Sequence, residues 1–123
     1  MTTQVIAERF VELCRQGQFE AAQKELSSSD VVSIEPYGTA LFPKETRGLE
    51  ALLKKARKFT SLIEQVHSLS ISDPLVAGNA FAIAMKLSAT IKGHGHQELD
   101  ELCVYEVKDG KIVSERFTSR FNV

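Results

Sequence analysis

The spacing of apolar residues in the first half of the chain predicts three helices. Between residues 3 and 16 they recur at i, i+4, i+7 and i+8, which places them on one helix face. The same spacing continues over a shorter stretch from Phe19 to Leu26. A third run, Leu49–Ile63, is apolar on one side and basic on the other, the pattern of an amphipathic helix. Between the second and third helices, the β-branched segment Val31–Glu35 is closed by Pro36 and predicts a strand.

From Glu64 onward the period of the apolar residues changes from helical to alternating, which predicts strands to the end of the chain. We expect strands at 65–72, 75–92, 98–108 and 111–121, with turns at Asp73-Pro74, at 93–96 and at Asp109-Gly110. Three helices segregated from an antiparallel sheet make an α+β domain. Long strands must curve to wrap helices, and we expect a bulge or bend at Gly78. The result is a cone whose open end is a natural ligand pocket.

Alternation also divides the side chains of the sheet between two faces. One face of the 75–92 strand carries Phe81, Ile83, Met85, Leu87, Ala89 and Ile91. The other face carries mostly small residues, which suits either cover by another chain or a solvated surface. In the next strand, Glu101, Cys103 and Tyr105 share one face.

Composition and charge narrow the class of protein. Fifteen basic and sixteen acidic side chains leave a net charge of −1, and 43% of residues are hydrophobic, so we expect one globular domain over residues 1–123. The near-neutral charge gives no reason to expect nucleic acid or an anionic membrane as a partner. The longest apolar-rich run is broken by polar residues, so we expect no membrane span. Two distant cysteines without a signal peptide predict reduced thiols in a cytoplasmic protein.

Several short sequence motifs match a known family. They are Gly17-Gln18-Phe19 between the first helices, Asp30–Ser33 entering the first strand, Gly48–Leu52 opening the third helix, and Tyr105–Val113 with Phe117 after it. In these motifs and in the order of its elements, the chain resembles the SnoaL-like domain proteins of the nuclear transport factor 2-like superfamily. The resemblance implies a cone-shaped, cystatin-like fold with three helices packed on a curved antiparallel sheet. It leaves activity open, because the superfamily includes isomerases, dehydratases, cyclases and members that only bind ligands or proteins.

The resemblance also implies an acidic residue in the last strand. SnoaL-like cyclases typically carry it eight positions after the hairpin isoleucine. Counting from Ile112, that position holds Arg120 here, so the general acid/base expected of a cyclase is absent from it.

Three residues are candidate acid/base groups. If Glu101 points into the apolar cone, desolvation should raise its pKa and suit it to proton transfer; otherwise it forms a surface ion pair. Glu35 lies near Tyr37 at the exit of the first strand, and a carboxylate with a phenol is an isomerase-like pair, unless both are ordinary strand-end residues. His67 could form a dyad with a carboxylate if it faces the helices, but a core or outer-face histidine is the more common outcome.

The expected ligand-binding residues are Tyr37, Tyr105, Phe81, Met85, Cys103, Phe59 and Arg116. Glu115 and Arg116 alternate, so at most one of them enters the pocket: an inward arginine would bind an anion, and an inward glutamate would join the acids. His94 and His96 have no further ligands near them in sequence, and we expect a hairpin tip there and no metal site.

Two functions fit these observations. The first is a cofactor-independent isomerase, cyclase or dehydratase acting on an apolar small molecule. The second is a non-catalytic ligand-binding domain or a homodimeric interaction domain that pairs through its sheet. Convergence of at least two of the polar candidates in one cavity would favour the first. A cone filled by Phe81, Met85 and Phe59 would favour the second.

Overall fold

Three α-helices and seven β-strands make up the computed structural model, which describes residues 1–123. The helices are α1 (Thr3–Arg15), α2 (Phe19–Leu26) and α3 (Leu49–Leu62). The strands are β1 (Ser27–Ile34), β2 (Glu45–Arg47), β3 (Ile63–Ile71), β4 (Leu75–Ala77), β5 (Ala80–Ile91), β6 (Gly95–Lys108) and β7 (Lys111–Phe117). They form one curved, unclosed sheet in the order β2-β1-β7-β6-β5-β3, with β4 paired to β5.

The three helices form where the apolar spacing predicts them. The Thr2 hydroxyl caps α1 by accepting a hydrogen bond from the Val5 amide at 3.2 Å, and the left-handed Gly17 (φ +75°) follows its end. Apolar faces of α1, α2 and α3 meet the sheet through Ile6, Leu26 and Leu52, each at most 1% exposed. None of the helices is long and apolar enough to cross a membrane.

Two predictions about the strands are wrong in detail. The expected 75–92 strand is two strands, β4 and β5, because Gly78 (φ +58°) adopts a left-handed conformation that lets the chain reverse. Gly78 therefore marks a turn and not a bulge or bend. The last strand ends at Phe117, four residues earlier than expected. The short β2, which pairs with β1, was not predicted because three residues carry too little alternation to be recognised.

The sheet is also mixed, whereas an antiparallel sheet was expected. β1 runs parallel to β7, with Ser33 opposite Glu115 and Ile34 opposite Arg116. Local sequence does not encode this direction, because β1 and β7 are separated by most of the chain. Their pairing places Glu115 beside Ser33, which matters for the cavity described below.

The hairpins of β5, β6 and β7 follow the predicted alternation. Met85 lies opposite Glu101, Ile83 opposite Cys103 and Phe81 opposite Tyr105. These pairs share the helix-facing side of the sheet, since a strand presents alternate residues to each face. The predicted Asp109-Gly110 turn is confirmed, with positive φ at both positions, as a two-residue type I′ turn requires.

Two apolar clusters fill the space between helices and sheet. The larger joins the helices to the first half of β5 and the second half of β6, around Phe10, Phe81 and Tyr105. The smaller lies at the other end of these strands and includes Leu87, Leu99, Phe121 and Val123. Side chains from both clusters line one cavity. The two clusters therefore leave unfilled space between them.

The larger cluster should dominate stability. Phe81 is 1% exposed, with ring centroids 5.9 Å from Phe10 and 4.8 Å from Tyr105. We expect Phe81→Ala to lower the free energy of unfolding by about 3 to 5 kcal/mol, because it removes buried area and leaves a void. Urea denaturation measures this. The control Val5→Ala, on a side chain 48% exposed, should change stability by no more than about 0.5 kcal/mol. Equal losses in both variants would contradict the assignment.

Candidate functional site

A cavity of about 630 Å³ opens between the helices and the concave face of the sheet. Eighteen of its 29 lining residues are hydrophobic. Its aromatic lining residues are Phe10, Phe19, Phe42, Phe59, Tyr105, Phe117 and Phe121. The volume lies within the range of small-molecule sites, and a mostly apolar wall with few polar groups is typical of them.

Three carboxyl groups line this cavity, two from strands and one from the loop that follows β1. Glu101 comes from β6 and is 5% exposed, and Glu115 comes from β7 and is 3% exposed. Glu35 follows the last residue of β1, and its side chain is 13% exposed. A single α3 side chain, Lys55, stands among them at 17% exposure. Arg15 and Arg120 also line the cavity, so its wall carries three acidic and three basic side chains.

Lys55 links two of the carboxyls. Its Nζ lies 3.4 Å from Glu35 Oε1 and 3.3 Å from Ser33 Oγ. The Ser33 hydroxyl in turn donates to Glu115 Oε2 at 2.8 Å, in a fully buried hydrogen bond. These contacts depend on the parallel β1–β7 pairing, because that register sets Ser33 beside Glu115.

Burial shifts the titration of the two deepest carboxyls. Desolvation, with the nearby negative charge of Glu35 as a further cause, raises the pKa of Glu101 to about 8. Desolvation raises the pKa of Glu115 to about 7, against the opposing effects of the Ser33 hydrogen bond and the Lys55 charge. At neutral pH Glu101 is thus mainly a neutral acid that can donate a proton.

The tyrosine and the two cysteines on the cavity wall are held neutral. Burial raises the pKa of the Tyr105 phenol well above its ordinary value and the pKa of the Cys14 thiol to about 12. Burial also raises the pKa of the Cys103 thiol. A protonated thiol is a poor nucleophile, so the chemistry available in the cavity is proton transfer by carboxyl groups. No group of three or more His, Cys, Asp or Glu side chains is placed to hold a metal ion.

The structure brings six of the predicted site residues to the cavity. They are Glu35, Phe59, Met85, Glu101, Cys103 and Tyr105. The alternation along β6 accounts for three of these, since Glu101, Cys103 and Tyr105 share its concave side.

Four other predicted residues do not line the cavity. His67 is exposed on the outer face, with Nε2 2.7 Å from Thr90 Oγ1, because β3 carries an irregularity between Val66 and Ser68. Its predicted acid/base role is therefore wrong. Arg116 is also exposed, opposite Val104 on the outer face, so it does not line the cavity as expected of a ligand-binding residue; of the two alternatives, Glu115 is the one that points inward.

Phe81 and Tyr37 were expected in the pocket as well. Phe81 is packed into the core beside Tyr105 instead, with stacked rings. Tyr37 is 44% exposed in the loop after β1, where its carbonyl accepts a hydrogen bond from Arg120 Nη1.

Sequence analysis missed Lys55 and Ser33. Lys55 belongs to the basic run that was placed on the side of the third helix opposite its apolar face. A signal was present, because position 55 follows Leu52 by three residues and precedes Phe59 by four, which places it on the apolar face of α3. Ser33 follows the buried Val31 by two residues and so shares its side of β1.

Comparison with known proteins gives a consistent result. A family model for the SnoaL-like domain matches residues 1–119. The crystal structure of a candidate SnoaL-like polyketide cyclase from Mesorhizobium loti is 35% identical, with a TM-score of 0.88 over 95% of this chain and 98% of that one. No curated protein matches at a significant level.

More distant structures share the fold. A protein of unknown function with a cystatin-like fold, from Xanthomonas campestris, is 23% identical, with a TM-score of 0.81 over 99% of this chain and 93% of that one. A candidate isomerase from Bacillus subtilis is 20% identical, with a TM-score of 0.71 over 95% of this chain and 88% of that one. The α+β, cystatin-like fold expected from the sequence is thereby confirmed.

The raised pKa values of Glu101 and Glu115 make stability depend on pH. Between the ordinary carboxyl pKa and these raised values the folded protein binds more protons than the unfolded chain, so stability falls as pH rises. We expect the free energy of unfolding to fall by a few kcal/mol between about pH 5 and about pH 8. Urea denaturation across this range measures the effect.

Matched variants assign the effect. Glu101→Gln keeps the shape of the side chain but cannot ionise, so it should flatten the pH dependence and be more stable than wild type above about pH 8. Glu98→Gln, on a side chain 78% exposed, should leave the wild-type curve unchanged. Wild-type stability that is constant or rises across the range would contradict the buried-acid assignment.

Proposed function

This chain belongs to the SnoaL-like domain family, and from the geometry of its cavity we propose that it binds an apolar small molecule and catalyses a cofactor-independent isomerisation, cyclisation or dehydration. The observation that carries the proposal is the convergence of Glu101 and Glu35 on one apolar cavity. The two groups differ in environment, since one is buried without an ion pair and the other pairs with Lys55. Carboxyls held in different protonation states are what acid/base catalysis requires.

The roles follow from these environments. Glu35, as the ionised partner of Lys55, is the base that removes a proton from carbon. Glu101, as the neutral acid, donates a hydrogen bond or a proton to the ligand oxygen on which negative charge develops. Tyr105, Met85, Cys103 and Phe59 provide the surrounding wall. Proton transfer between such groups needs no metal or cofactor, so the proposal includes none.

The relatives support the reaction class. The 35% identical protein from Mesorhizobium loti is named as a candidate polyketide cyclase. Position 120, where the family resemblance leads us to expect an acid, holds Arg120, and acids from β6 and β7 face the cavity instead. We therefore expect the reaction to be acid/base chemistry without requiring it to be the same cyclisation.

The proposal can be tested without knowing the natural substrate. β-Tetralone is an apolar bicyclic ketone with acidic hydrogens beside its carbonyl, and it is small enough for a cavity of about 630 Å³. We expect the wild-type protein to accelerate exchange of those hydrogens in deuterated water, followed by proton NMR. Glu35→Gln and Glu101→Gln should each slow the exchange by about 100-fold, because each removes one proton-transfer group.

Glu98→Gln, on the outer face, is the control and should exchange like wild type. Chemical-shift changes on adding β-tetralone should map to the cavity residues. Binding in the cavity with exchange no faster than in buffer would refute the catalytic proposal and leave a ligand-binding domain. An exchange rate insensitive to both glutamate variants would refute the assigned roles.

A second candidate function is a homodimeric interaction domain, which the outer face of the sheet favours. Leu75, Leu102 and Val104 are 77%, 51% and 38% exposed there. Leu75 and Val104 both lie opposite Ala82, and Leu102 lies opposite Ala84, so they form a continuous apolar patch across β4, β5 and β6. Exposed apolar patches of this kind mark interaction sites. A dimer formed through this face leaves the concave cavity free.

The mass of the protein in solution tests the dimer. Light scattering on a sizing column at micromolar concentration should give twice the mass of one chain. Leu102→Asp should shift the protein to a monomer, because it sets a charge in the centre of the apolar patch. Val5→Asp, on an exposed side chain of α1, should remain dimeric. A wild-type monomer would refute this interface.

A cytoplasmic location and the absence of nucleic-acid and membrane partners complete the proposal. Cys14 and Cys103 are both free thiols, which persist in a reducing compartment. The net charge of −1 offers no electrostatic attraction to polyanions.

A further inference from the structure

We propose that Lys55 is a positioning residue that divides the acid and base roles among the cavity carboxyls, through direct contact with Glu35 and contact with Glu115 by way of Ser33. Its use in catalysis rests on the function proposed above. Its effect on the carboxyls exists without a ligand and is tested without one.

The contacts radiate from one ammonium group. Lys55 Nζ donates to Glu35 Oε1 at 3.4 Å and to Ser33 Oγ at 3.3 Å. The Ser33 hydroxyl donates in turn to Glu115 Oε2 at 2.8 Å. The Lys55 and Glu35 side chains are 17% and 13% exposed. Because these groups are largely removed from water, the interaction is screened less than at the surface.

No other cation hydrogen-bonds to these carboxyls. Arg15 lines the cavity, but it donates to the Ile71 carbonyl and to Asp73. Arg120 lines it too, but it donates to backbone carbonyls of the loop after β1. Lys55 is therefore the one cation whose hydrogen bonds reach these acids, Glu35 directly and Glu115 through Ser33.

The arrangement separates the acids by their access to that charge. Glu35 touches the ammonium, Glu115 reaches it through one hydroxyl, and Glu101 makes no hydrogen bond to it. The remaining titratable groups facing them are Cys14 from α1 and Cys103 and Tyr105 from β6, whose raised pKa values keep them neutral. The ammonium therefore acts most directly on Glu35 and least directly on Glu101.

Loss of the Lys55 charge would remove this difference among the three carboxyls. Without Lys55, any ionised carboxyl in the cavity would be uncompensated in a medium that solvates charge poorly. The carboxyls would then differ only in burial, in the Ser33 hydrogen bond to Glu115 and in their mutual repulsion. The ion pair that distinguishes the base, Glu35, from the acid, Glu101, would be lost even though every carboxyl stayed in place.

The test follows the carboxyl carbons of Glu101 and Glu115 by carbon-detected NMR as pH is varied, in the ligand-free protein. In Lys55→Met the titration midpoint of Glu115 should move up by about one pH unit or more, and that of Glu101 should move up by less, since an opposite charge is lost that lies nearer to Glu115. Lys55→Arg, which keeps the charge, should restore midpoints close to those of wild type. Lys54→Met is the matched control, because Lys54 is the neighbouring residue on α3 and is exposed.

A second variant guards against failure of Lys55→Met to fold. Ser33→Ala keeps the ammonium but removes the hydroxyl bridge, so the midpoint of Glu115 should rise while that of Glu101 moves less. Unchanged midpoints in a folded Lys55→Met variant would overturn the proposal. If Lys55→Met does not fold, an unchanged Glu115 midpoint in Ser33→Ala would overturn it. Equal shifts in Lys54→Met would overturn it as well.

The outcome is separate from that of the catalytic test. If β-tetralone exchange is absent while the midpoints move as expected, Lys55 controls the carboxyls and the reaction proposed above is wrong. If exchange occurs while the midpoints stay fixed, the catalytic proposal stands and the role given to Lys55 falls.

Discussion

The continuous register between β5 and β6 is the constraint on which the cavity depends. Twelve residue pairs, from Ala80–Glu106 to Ile91–Gly95, run without interruption. Because alternate residues face opposite sides of a strand, a slip by one residue would turn Glu101, Cys103 and Tyr105 outward and bring Leu102 and Val104 in. The bulged strand β3, at the edge of the sheet, shows what happens without such a constraint, since His67 lies on the outer face.

The packing of the helices along these two strands explains why a cavity exists. The helices pack closely on one end of β5 and β6 and leave the other end to a smaller cluster completed by residues after β7, including Phe121, which stacks on Phe59 at 5.6 Å. A continuous core would be more stable, because each buried carboxyl is costly to hold in an apolar wall. The structure accepts that cost at Glu101 and Glu115, and well-packed side chains such as Ile6 and Ile112 offset it.

How far the sequence could predict this structure depends on the range of the interactions involved. Helices α1 to α3 and the Asp109-Gly110 turn were predictable because spacing and turn chemistry are local. The parallel direction of β1 was not, since it is settled by contacts with β7 far along the chain. The reversal at Gly78 was ambiguous, because a glycine within an alternating pattern suits a bulge or a turn equally well. For the site, alternation grouped Glu101 with Tyr105 but could not say which face was concave.

Lys55 illustrates a different limit of prediction from the sequence. Its position relative to Leu52 and Phe59 placed it on the apolar side of α3, yet a basic run is usually solvated and the two indications conflicted. Only the tertiary contact with Glu35 and Ser33 resolves the conflict. Arg120 behaves differently, since at a position where an acid was expected its Nη1 donates to the carbonyls of Tyr37 and Pro43, while its buried Nε has no hydrogen-bond partner. The cation at position 120 therefore ties the chain after β7 to the loop after β1, and Lys55 is left as the charge that acts on the acids.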